Sequence, residues 1–510
     1  MRLARSWSVC LNGLEATLVE VEVSFGTGLP KTVLVGLGDT AVQEARERCR
    51  SAVGAIKAAW PASFLTINLS PADVRKAGSH YDLSIVVAIL AATGVVPEGR
   101  LAETVFMGEL GLDGTVRPAR GVLPSLLAAR HHGLARAVVP VAQLREARLV
   151  EGLDVVGVAH LREAVGWLRG EWTGGPELPQ AEPAEEERPK DLADVAGQQE
   201  ARWALEVAAA GGHHLALTGP PGVGKTLLAE RLVGILPDLT LEESLEVSAI
   251  QSLLGRSLEG GLVTRPPYAD PHHTASVAAI VGGGSGVAMP GAVSRAHRGV
   301  LFMDEAPEFS PRALEALRTP LESGRVVHAR ARSQTTYPAR FQLVLASNPC
   351  PCGWYNVPGG ECSCSPHAIR RYAERLSGPI LDRIDVHQVL RPERQSALGR
   401  FRPGEPSSAV AERVLAARER QRSRLAPYGC STNASVPGPV LRRALRIPEG
   451  SDAVDRAVAR GSLSARGVDK VLRIAWTLAD LAGHDAPTRD EVFLALGMRE
   501  GDGGGLRRVG

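Results

Sequence analysis

The sequence predicts an α/β fold, because short apolar runs typical of buried strands alternate with stretches of helical periodicity. The clearest case is residues 215–233, where an apolar run, a glycine-rich loop and apolar residues at helical spacing follow one another. Two further apolar runs, residues 299–303 and 341–347, each end in polar side chains. The first 170 residues show the same alternation. A chain of 510 residues has room for about three domains of roughly 100–200 residues each.

The N-terminal third of the chain, residues 1–171, is predicted to form one α/β domain. Residues 18–25 alternate between apolar and polar side chains with period two, as a half-buried strand does. Asp113-Gly114 supplies a turn typical of a β-hairpin. The further elements expected here are a helix from Thr40 to Ala58, a strand around Phe64, Ile67 and Leu69, a buried segment from Ile85 to Ala92, a hairpin from Gly108 to Pro118, a helix from Val122 to His131 and a strand from Ala137 to Pro140.

A glycine-rich loop at residues 219–226 fits the pattern G-x-x-x-x-G-K-[ST] of phosphate-binding loops. Backbone N–H groups at the start of a helix can surround phosphates, and the helix dipole favours their negative charge. Lys225 is expected to reach the β- and γ-phosphates, and Thr226 to bind Mg²⁺. The predicted nucleotide-binding residues are Gly219, Pro220, Pro221, Gly222, Val223, Gly224, Lys225 and Thr226, with Asp304 from a later strand.

Two later strands end in the side chains that ATP hydrolysis requires. Asp304 and Glu305 follow residues 299–303; Asp304 is expected to hold Mg²⁺, and Glu305 to polarise the attacking water. Asn348 follows residues 341–347 and can orient the same water beside the γ-phosphate. Taken singly, the two acids could be a solvated strand end and Asn348 a turn residue. Their order after the phosphate-binding loop predicts an ATPase core that uses ATP and Mg²⁺.

The composition is that of an ordinary soluble globular protein, with 44% apolar and 22% charged residues. The 58 Lys and Arg residues against 56 Asp and Glu residues give a net charge of +2, so any nucleic-acid site has to be a local basic surface. The longest apolar run, Ile85 to Val96, is too short to span a bilayer, which needs about 20 residues. Arg2 and Arg5 are not followed by the apolar segment of a signal peptide. We expect a cytoplasmic protein with no membrane partner.

Four of the seven cysteines form two C-x-C pairs with nine residues between the pairs, Cys350 with Cys352 and Cys362 with Cys364. Paired thiolates of this kind can close a tetrahedral Zn²⁺ site. The spacing is shorter than in common zinc ribbons. The sequence therefore leaves two interpretations open, a structural Zn²⁺ site and a packed cluster of reduced thiols.

Motifs around these segments carry a family resemblance. Asp194-Val195-Ala196-Gly197-Gln198 matches the usual lead-in of AAA+ ATPases, which borders the adenine. Further marks are Pro271-His272-His273-Thr274, Gly282-Gly283-Gly284, Ala296-His297-Arg298-Gly299 and Asn348-Pro349-Cys350-Pro351-Cys352-Gly353. Over nearly its whole length the chain resembles the YifB and ComM family of Mg-chelatase-like AAA+ ATPases. The family commonly has Pro-Gly-Glu where this chain has Pro290-Gly291-Ala292, so no role of that glutamate is transferred.

The resemblance implies a definite order of domains. Residues 1–171 would be a Lon-protease-like domain and residues 191–404 an AAA+ P-loop NTPase core of the Mg-chelatase type. Residues 405–500 would form a C-terminal helical lid. A Pro- and Glu-rich linker, residues 172–190, lies between the Lon-protease-like domain and the NTPase core, and its composition predicts that it is extended. The tail, residues 501–510, is disordered by composition.

The N-terminal domain is expected to be a scaffold without protease activity. Its resemblance to Lon proteases rests on Gly108-Glu109-Leu110, Leu126-Leu127-Ala128-Ala129 and Val138-Val139-Pro140. Lon proteases use a Ser–Lys dyad, and here the serine position falls on His80 and the lysine position near Leu123. Ser79 lies next to the first of these, but no lysine occurs between Lys76 and Lys190. A nucleophilic serine without a base is inert.

The resemblance also assigns two arginines to the nucleotide. Arg383, in Leu381-Asp382-Arg383-Ile384-Asp385, matches the arginine finger that reaches the γ-phosphate of a neighbouring subunit. An ion pair with Asp382 or Asp385 is the alternative. Arg466, in Ser464-Ala465-Arg466, matches the sensor 2 position and is expected to touch ATP. A finger implies a closed ring of identical chains, and the family implies a homohexamer.

Two insertions of the core bear on its partners. Residues 324–340 are predicted to form a hairpin, which in related motors points into the central channel, where Arg330 and Arg332 would suit DNA phosphates. A solvated charged hairpin is the alternative. The glycine-rich insertion 268–289 contains His272 and His273, which could form hydrogen bonds within a turn or act as ligands.

The function expected from these features is that of an ATP-hydrolysing ring motor acting on branched DNA. Branch migration in homologous recombination or natural transformation is the process that the family resemblance suggests. The alternative is a Mg-chelatase-like AAA+ chaperone or protein remodeller. ATP-dependent proteolysis is disfavoured by the absent dyad.

Overall fold

The computed structural model describes residues 3–172, 190–284, 288–330, 333–392 and 404–501. Most of the predicted linker and of the predicted tail lies outside the described residues. Within the part of the chain that is described, no helix combines the length and apolar character needed to cross a lipid bilayer.

The N-terminal region, residues 3–172, is built on a seven-stranded mixed sheet of order β3-β4-β2-β1-β5-β8-β9. Strands β1 and β2 pair antiparallel along their length, whereas β5, β8 and β9 run parallel to one another. The elements are β1 Leu3–Asn12, β2 Glu15–Gly26, β3 Lys31–Val35, α1 Thr40–Ala55, β4 Phe64–Ser70, α2 Asp82–Ala92, β5 Thr104–Phe106, β6 Glu109–Leu110, β7 Val116–Arg117, α3 Val122–His131, β8 Arg136–Pro140, α4 Leu144–Ala147, β9 Asp154–Val158 and α5 Leu161–Arg169.

Helix α2 is the centre of this region, since every one of its residues is buried. Its Asp82 is held by the Arg48 guanidinium of α1, with Nε 2.6 Å from a carboxylate oxygen. Burial raises the pKa of Asp82 to about 6, although Arg48 opposes the shift. Helix α1 ends at Ala55 rather than at the predicted Ala58, because the chain turns at Lys57, where φ is 60°.

The central region, residues 190–392, contains a five-stranded sheet of order β11-β14-β17-β10-β18 whose paired strands are all parallel. We call the edge at which its strands end the carboxyl edge and the opposite one the amino edge. Its elements are α6 Gln199–Gly211, β10 Leu215–Thr218, α7 Lys225–Arg231, α8 Leu241–Leu253, β11 Tyr268–Ala269, α9 Val277–Val281, β12 Gly282–Gly283, β13 Met289–Pro290, α10 Ala292–Arg295, β14 Val300–Met303, α11 Pro311–Ala316, α12 Arg318–Ser323, β15 Arg325–Arg330, β16 Ser333–Pro338, β17 Gln342–Ser347, α13 Pro366–Ala373, α14 Gly378–Leu381 and β18 Val386–Val389.

The three central strands β10, β14 and β17 are buried along their whole length and mostly apolar, which is typical of a parallel sheet covered on both faces. In such sheets ligands bind beyond the carboxyl ends of the strands. Strands β10, β14 and β17 therefore deliver the loops that follow them, which begin at Gly219, Asp304 and Asn348, to one place.

The predicted hairpin is present as the antiparallel pair β15–β16, joined between Arg330 and Ser333. Its base is fixed by Tyr337, which is fully buried and whose hydroxyl donates to the Ala288 carbonyl oxygen. Residues 331 and 332 at its turn lie outside the described residues.

The C-terminal region, residues 404–501, is helical. Its helices are α15 Ser407–Leu425, α16 Gly438–Arg443, α17 Ser451–Ala459, α18 Ala465–Ala482 and α19 Arg489–Glu500. Helices α15 and α18 pack against α6, and α19 packs against α18 and β18. These helices therefore cover one face and the amino edge of the sheet.

Among the described residues, side-chain hydrogen bonds join the N-terminal and central regions at two places. The turn between β1 and β2 contacts the hairpin, where Thr335 Oγ1 donates to Asn12 Oδ1 at 2.7 Å and Asn12 Nδ2 donates to the Gln334 carbonyl oxygen at 2.8 Å. At the second place the Ser252 hydroxyl of α8 lies 2.5 Å from Glu146 Oε1. Burial raises the pKa of Glu146.

Candidate active site

The phosphate-binding loop joins β10 to α7 with the geometry that its glycines permit. Gly222 and Gly224 have φ of 80° and 91°, in the left-handed region that residues with a side chain rarely adopt. A Cβ on Gly219 would lie 2.8 Å from the Leu390 carbonyl oxygen, so β18 and this loop approach too closely for a larger residue. The loop thereby turns its backbone toward the N-terminus of α7.

Lys225 lies at the centre of the site. Its Nζ donates to the carbonyl oxygens of Gly219 at 2.8 Å and Pro220 at 2.9 Å, and to Asn348 Oδ1 at 2.9 Å. Burial lowers the pKa of Lys225, and the charges of Asp304 and Glu305 oppose that shift. The loop that follows β17 is thus joined directly to the phosphate-binding loop.

The two acids follow β14 as the sequence predicts. Thr226 Oγ1 donates to Asp304 Oδ2 at 2.8 Å, which brings together the two oxygen ligands expected for Mg²⁺. Glu305 has a φ of 50°, an uncommon value for a residue with a side chain, and its N–H donates to Asp304 Oδ1 at 2.9 Å. Backbone strain of this kind is concentrated at functional sites.

Glu305 has a contact with His273 that the sequence does not predict. His273 Nδ1 lies 3.5 Å from Glu305 Oε2, while the neighbouring His272 Nδ1 lies 2.8 Å from Thr274 Oγ1. The two adjacent histidines therefore differ: His272 bonds within its own turn, and His273 faces the acid expected to polarise water. The sequence shows the pair but not which member points inward.

Arg383 and Arg466 lie at the amino edge, on the opposite side of the sheet from the phosphate-binding loop. Arg383 is 8% exposed and pairs with Glu322 on α12, rather than with Asp382 or Asp385. The Arg466 side chain is 51% exposed, and its guanidinium lies 3.2 Å from Glu322 Oε1 and 3.2 Å from Asp382 Oδ2. Both arginines thus share Glu322.

A buried charged cluster supports the segment that carries Arg383. Lys470 Nζ on α18 donates to the Arg383 carbonyl oxygen at 2.7 Å and to Asp385 Oδ1 at 2.7 Å. Asp385 Oδ2 accepts the His214 N–H at 2.8 Å. Burial raises the pKa of Asp385, but the charge of Lys470, the neighbouring His213 and His214 and the hydrogen bond from Lys470 together outweigh it, so the net shift is downward.

The four paired cysteines converge after β17. Their Sγ atoms all lie within 4.8 Å of one another, as a shared metal ion requires. The Arg330 side chain and the whole of Arg332 lie outside the described residues, so the structure places β15 but not the contacts of these two arginines.

The Lon dyad positions carry other contacts. The Ser79 hydroxyl donates to the Glu109 carboxylate, and His80 Nε2 lies 2.8 Å from the Val9 carbonyl oxygen. Burial lowers the pKa of His80. The Leu123 N–H donates to Glu146 Oε1 at 3.0 Å. These residues connect elements of the N-terminal region to one another.

The sequence motif Ala296-His297-Arg298-Gly299 has a structural role that its pattern does not reveal. His297 Nε2 lies 2.9 Å from Glu246 Oε2, and Arg298 Nε donates to the same oxygen at 2.8 Å. The hydrogen bond with His297, followed by that with Arg298, lowers the pKa of Glu246 to about 2. The motif therefore ties α8 to the start of β14.

Family models and known proteins match the chain along its length. The model "Magnesium chelatase, subunit ChlI" matches residues 191–398, "Subunit ChlI of Mg-chelatase" residues 20–143 and "Magnesium chelatase, subunit ChlI C-terminal" residues 404–499. The chain is 40% identical over 493 residues to YifB of Escherichia coli, covering 96% of this chain and 95% of that protein. It is 38% identical over 510 residues to the competence protein ComM of Haemophilus influenzae, covering 98% of each.

The chain belongs to the YifB and ComM family of Mg-chelatase-like AAA+ ATPases. The resemblance inferred from its motifs is confirmed. An uncharacterised protein of Mycobacterium tuberculosis is also similar, at 52% identity over 502 residues, covering 98% of this chain and 99% of that protein.

Two further likenesses cover parts of the chain. It is 29% identical over 190 residues to Lon protease 2 of Bacillus subtilis, covering 33% of this chain and 34% of the protease. It is 27% identical over 327 residues to the magnesium-chelatase 38 kDa subunit of Rhodobacter capsulatus, covering 58% of this chain and 83% of that subunit. The α/β architecture and the AAA+ ATPase family are thereby confirmed.

Proposed function

We propose that this chain is the subunit of a cytoplasmic homohexameric ring that hydrolyses ATP and acts as a motor on branched DNA. The ring part is carried by one observation, the position of Arg383 and Arg466 at the amino edge while Lys225, Asp304, Glu305 and Asn348 gather at the carboxyl edge. Within the chain both arginines bond to Glu322 rather than to the nucleotide-site residues, which supports a role at the site of a neighbouring chain. Head-to-tail contacts bring one edge of a subunit against the opposite edge of the next, and they close when the rotation allows.

The chemistry proposed at the carboxyl edge is water attack on the γ-phosphate. When MgATP is bound, the ion would neutralise phosphate charge, held by Thr226 and Asp304. Lys225 would bind the β- and γ-phosphates, Glu305 would polarise the water and Asn348 would orient it. The direct contact between Lys225 and Asn348 supports this division of roles, because it holds the water-orienting loop at the phosphate position.

In a ring, Arg383 would exchange Glu322 for the γ-phosphate of the neighbouring subunit. Glu322, the partner of the buried Arg383 side chain, is itself 53% exposed, so an approaching neighbour would meet this ion pair. Arg466, which shares Glu322, would reach the same nucleotide. Two positive charges directed at the transferring phosphoryl group stabilise its transition state.

The DNA part of the proposal is supported by the relation to ComM, a competence protein, and by the hairpin β15–β16. The hairpin stands on α12, the helix that carries Glu322, so a change at the subunit boundary can move it. Arg330 and Arg332 beside its turn would supply phosphate contacts, and branch migration in recombination or transformation is the process proposed.

The test compares ATP turnover in the presence of a four-way junction, a fork, a single strand, a duplex and an unfolded protein. We expect the junction or fork to give the strongest stimulation and strand displacement to follow. Glu305→Gln should bind the junction and displace nothing. A response to unfolded protein without any response to DNA would replace the proposal with a Mg-chelatase-like protein remodeller, which the likeness to the chelatase subunit favours.

The role of the hairpin is tested by replacing Arg330 and Arg332 with alanine. Each lost phosphate contact should flatten the slope of log K for DNA binding against the logarithm of the salt concentration by about 0.9. Basal ATP turnover should stay at the parental rate. The matched control is Arg325→Ala, at the base of the same hairpin. Unchanged DNA affinity and salt slope in the double variant would exclude these arginines as the DNA contact.

A further inference from the structure

The segment between β17 and α13 is held together by something other than an apolar core. Residues 348–365 contain neither helix nor strand. Loops of more than about 15 residues without secondary structure are uncommon in a compact protein. Its largest side chain, Trp354, is 37% exposed. A metal ion is the usual support where an apolar core is missing.

The four thiols in this segment have the spacing of a single tetrahedral site. The Sγ of Cys350 lies 3.3 Å from that of Cys352 and 3.8 Å from that of Cys362, and Cys352 and Cys362 are 3.6 Å apart. All four Sγ atoms, including that of Cys364, lie within 4.8 Å of one another. Zn–S bonds of about 2.3 Å in a tetrahedron place the sulfurs about 3.8 Å apart. The arrangement therefore surrounds one ion.

Backbone amides are already directed at the sulfurs. The Tyr355 N–H donates to Cys350 Sγ at 3.3 Å, and the backbone of Trp354 hydrogen-bonds the Cys352 thiol. Such bonds stabilise the charge of thiolate ligands and orient them. Four soft thiolates in tetrahedral geometry select Zn²⁺ among the divalent ions of the cell.

The same segment forms one wall of the nucleotide site. Cys350 follows two residues after Asn348, whose side chain accepts from Lys225. Gly353, with φ of 85°, lies so close to the phosphate-binding loop that a Cβ there would be 2.5 Å from Pro221 Cδ. The cysteine segment thus begins beside Asn348 and lies against Pro221 of the phosphate-binding loop.

We infer that Cys350, Cys352, Cys362 and Cys364 bind one structural Zn²⁺ and that this ion sets the rate of ATP turnover by fixing Asn348 and Pro221. The rate part rests on the proposed ATPase activity, whereas the metal part does not. The ion would stabilise the segment from which the water-orienting side chain projects, without touching ATP.

The first measurement is the metal content of the purified full-length chain by elemental analysis. We expect about one zinc per chain, retained through size-exclusion chromatography and released by a mercurial reagent that titrates thiols. Protein refolded with Co²⁺ should show the intense visible absorption of a tetrahedral tetrathiolate. A metal-free protein with full activity that is insensitive to chelators would overturn the inference, as would stoichiometric iron in place of zinc.

The second measurement uses Cys362→Ser and Cys364→Ser, with Cys430→Ser in the C-terminal region as the matched control. Each of the first two should lose the zinc and lower kcat for ATP by about 10- to 100-fold, the size of effect seen when groups that orient a metal site are removed. The control should keep both at parental values. Thermal unfolding distinguishes a local effect from failure to fold, since the remaining regions should still unfold cooperatively.

A third variant separates metal binding from its consequence. Gly353→Ala leaves all four thiols in place but pushes the segment away from Pro221. It should keep one zinc per chain and still lower kcat, because the cysteine segment, although held by the ion, is then displaced from Pro221. Full zinc with parental turnover in Gly353→Ala would overturn the coupling. Full zinc in Cys362→Ser and in Cys364→Ser would overturn the site itself, whatever the response to DNA.

Discussion

The two edges of the central sheet hold polar groups of opposite character. At the carboxyl edge Thr226, Asp304 and Glu305 are at least partly open to solvent, whereas Lys225 is buried and bonds to the neighbouring loops. At the amino edge the Asp385 carboxylate is buried, and Lys470 and a backbone N–H satisfy it. An edge that binds a ligand has to leave its polar groups accessible, whereas the other can use them for stability. The amino edge thereby becomes a rigid support for Arg383.

The largest expected effect tests whether the two edges cooperate between chains. Arg383→Ala should lower ATP turnover by about 10³-fold while leaving ATP affinity intact, because a finger acts on the transition state. Lys225→Ala should abolish ATP binding. Mixed rings of the two variants should recover part of the turnover, because some interfaces pair an intact site with an intact arginine.

Arg456→Ala, an exposed arginine of the C-terminal region, is the control and should match the parental chain. Mixed rings that form but recover nothing would show that Arg383 is needed within its own chain. The amino edge would then contribute to the stability of the chain and not to the ATP site of a neighbouring chain.

The next effect concerns the buried pair of the amino edge. Lys470→Met should lower the free energy of unfolding by about 3–5 kcal/mol, because it leaves the Asp385 charge buried without its partner. Adding Asp385→Leu should restore much of that loss. Denaturant unfolding measures both, and Lys190→Met, from the exposed pair with Glu230, should cost about 1 kcal/mol or less. Equal losses from the buried and the exposed pair would contradict the difference described between the edges.

Acid should destabilise the amino edge through His213 and His214. Burial lowers the pKa of each to about 4, from an ordinary value of about 6.5. Between these values the unfolded chain binds the protons and the folded chain does not, so the free energy of unfolding falls as pH falls from about 6.5 to about 4. The loss should reach roughly 3 kcal/mol per histidine at the lower limit.

Denaturant unfolding at a series of pH values measures this loss. His214→Asn keeps an acceptor for the Leu343 N–H, and His213→Gln keeps a partner for Thr477, so each should remove its share of the pH dependence. His131→Gln, an exposed histidine, is the control. If the free energy of unfolding of both variants falls with pH as steeply as that of the parental chain, groups other than these histidines cause the pH dependence.

The smallest effect is expected at the carboxyl edge. His273→Ala should raise basal ATP turnover by roughly five-fold or less, because a partly exposed contact with Glu305 contributes little and its loss frees the carboxylate. His272→Ala should leave the rate unchanged, since that side chain bonds to Thr274. A fall in turnover with His273→Ala would show that the histidine assists Glu305.

Sequence reasoning located the carboxyl edge because its groups belong to short local patterns. Lys225 lies in a loop with a fixed spacing, and Asp304 and Asn348 each end an apolar run. A parallel architecture places the ends of these strands at one edge, and the observed order β14-β17-β10 makes them neighbours. The contact between Lys225 and Asn348 depends on side-chain geometry and carried no local signal.

The amino edge was less accessible to prediction. Arg383 was expected to pair with Asp382 or Asp385 if it was not a finger, and it pairs instead with Glu322, which lies 61 positions away along the chain. The buried bond between Lys470 and Asp385 spans 85 positions. Nothing in residue spacing specifies such contacts, because they depend on where α12 and α18 pack.

The bond between Asn12 and Thr335 joins positions that are 323 residues apart. During synthesis the β1–β2 turn emerges first, and at about 5–20 residues per second its partner strand follows roughly 16–65 seconds later. The N-terminal region can therefore fold before β16 has been synthesised, with the Asn12 side chain bonded to water until then. When the hairpin is synthesised, the N-terminal surface that it contacts has already folded. The order of synthesis therefore lets the N-terminal region act as a template on which the hairpin docks.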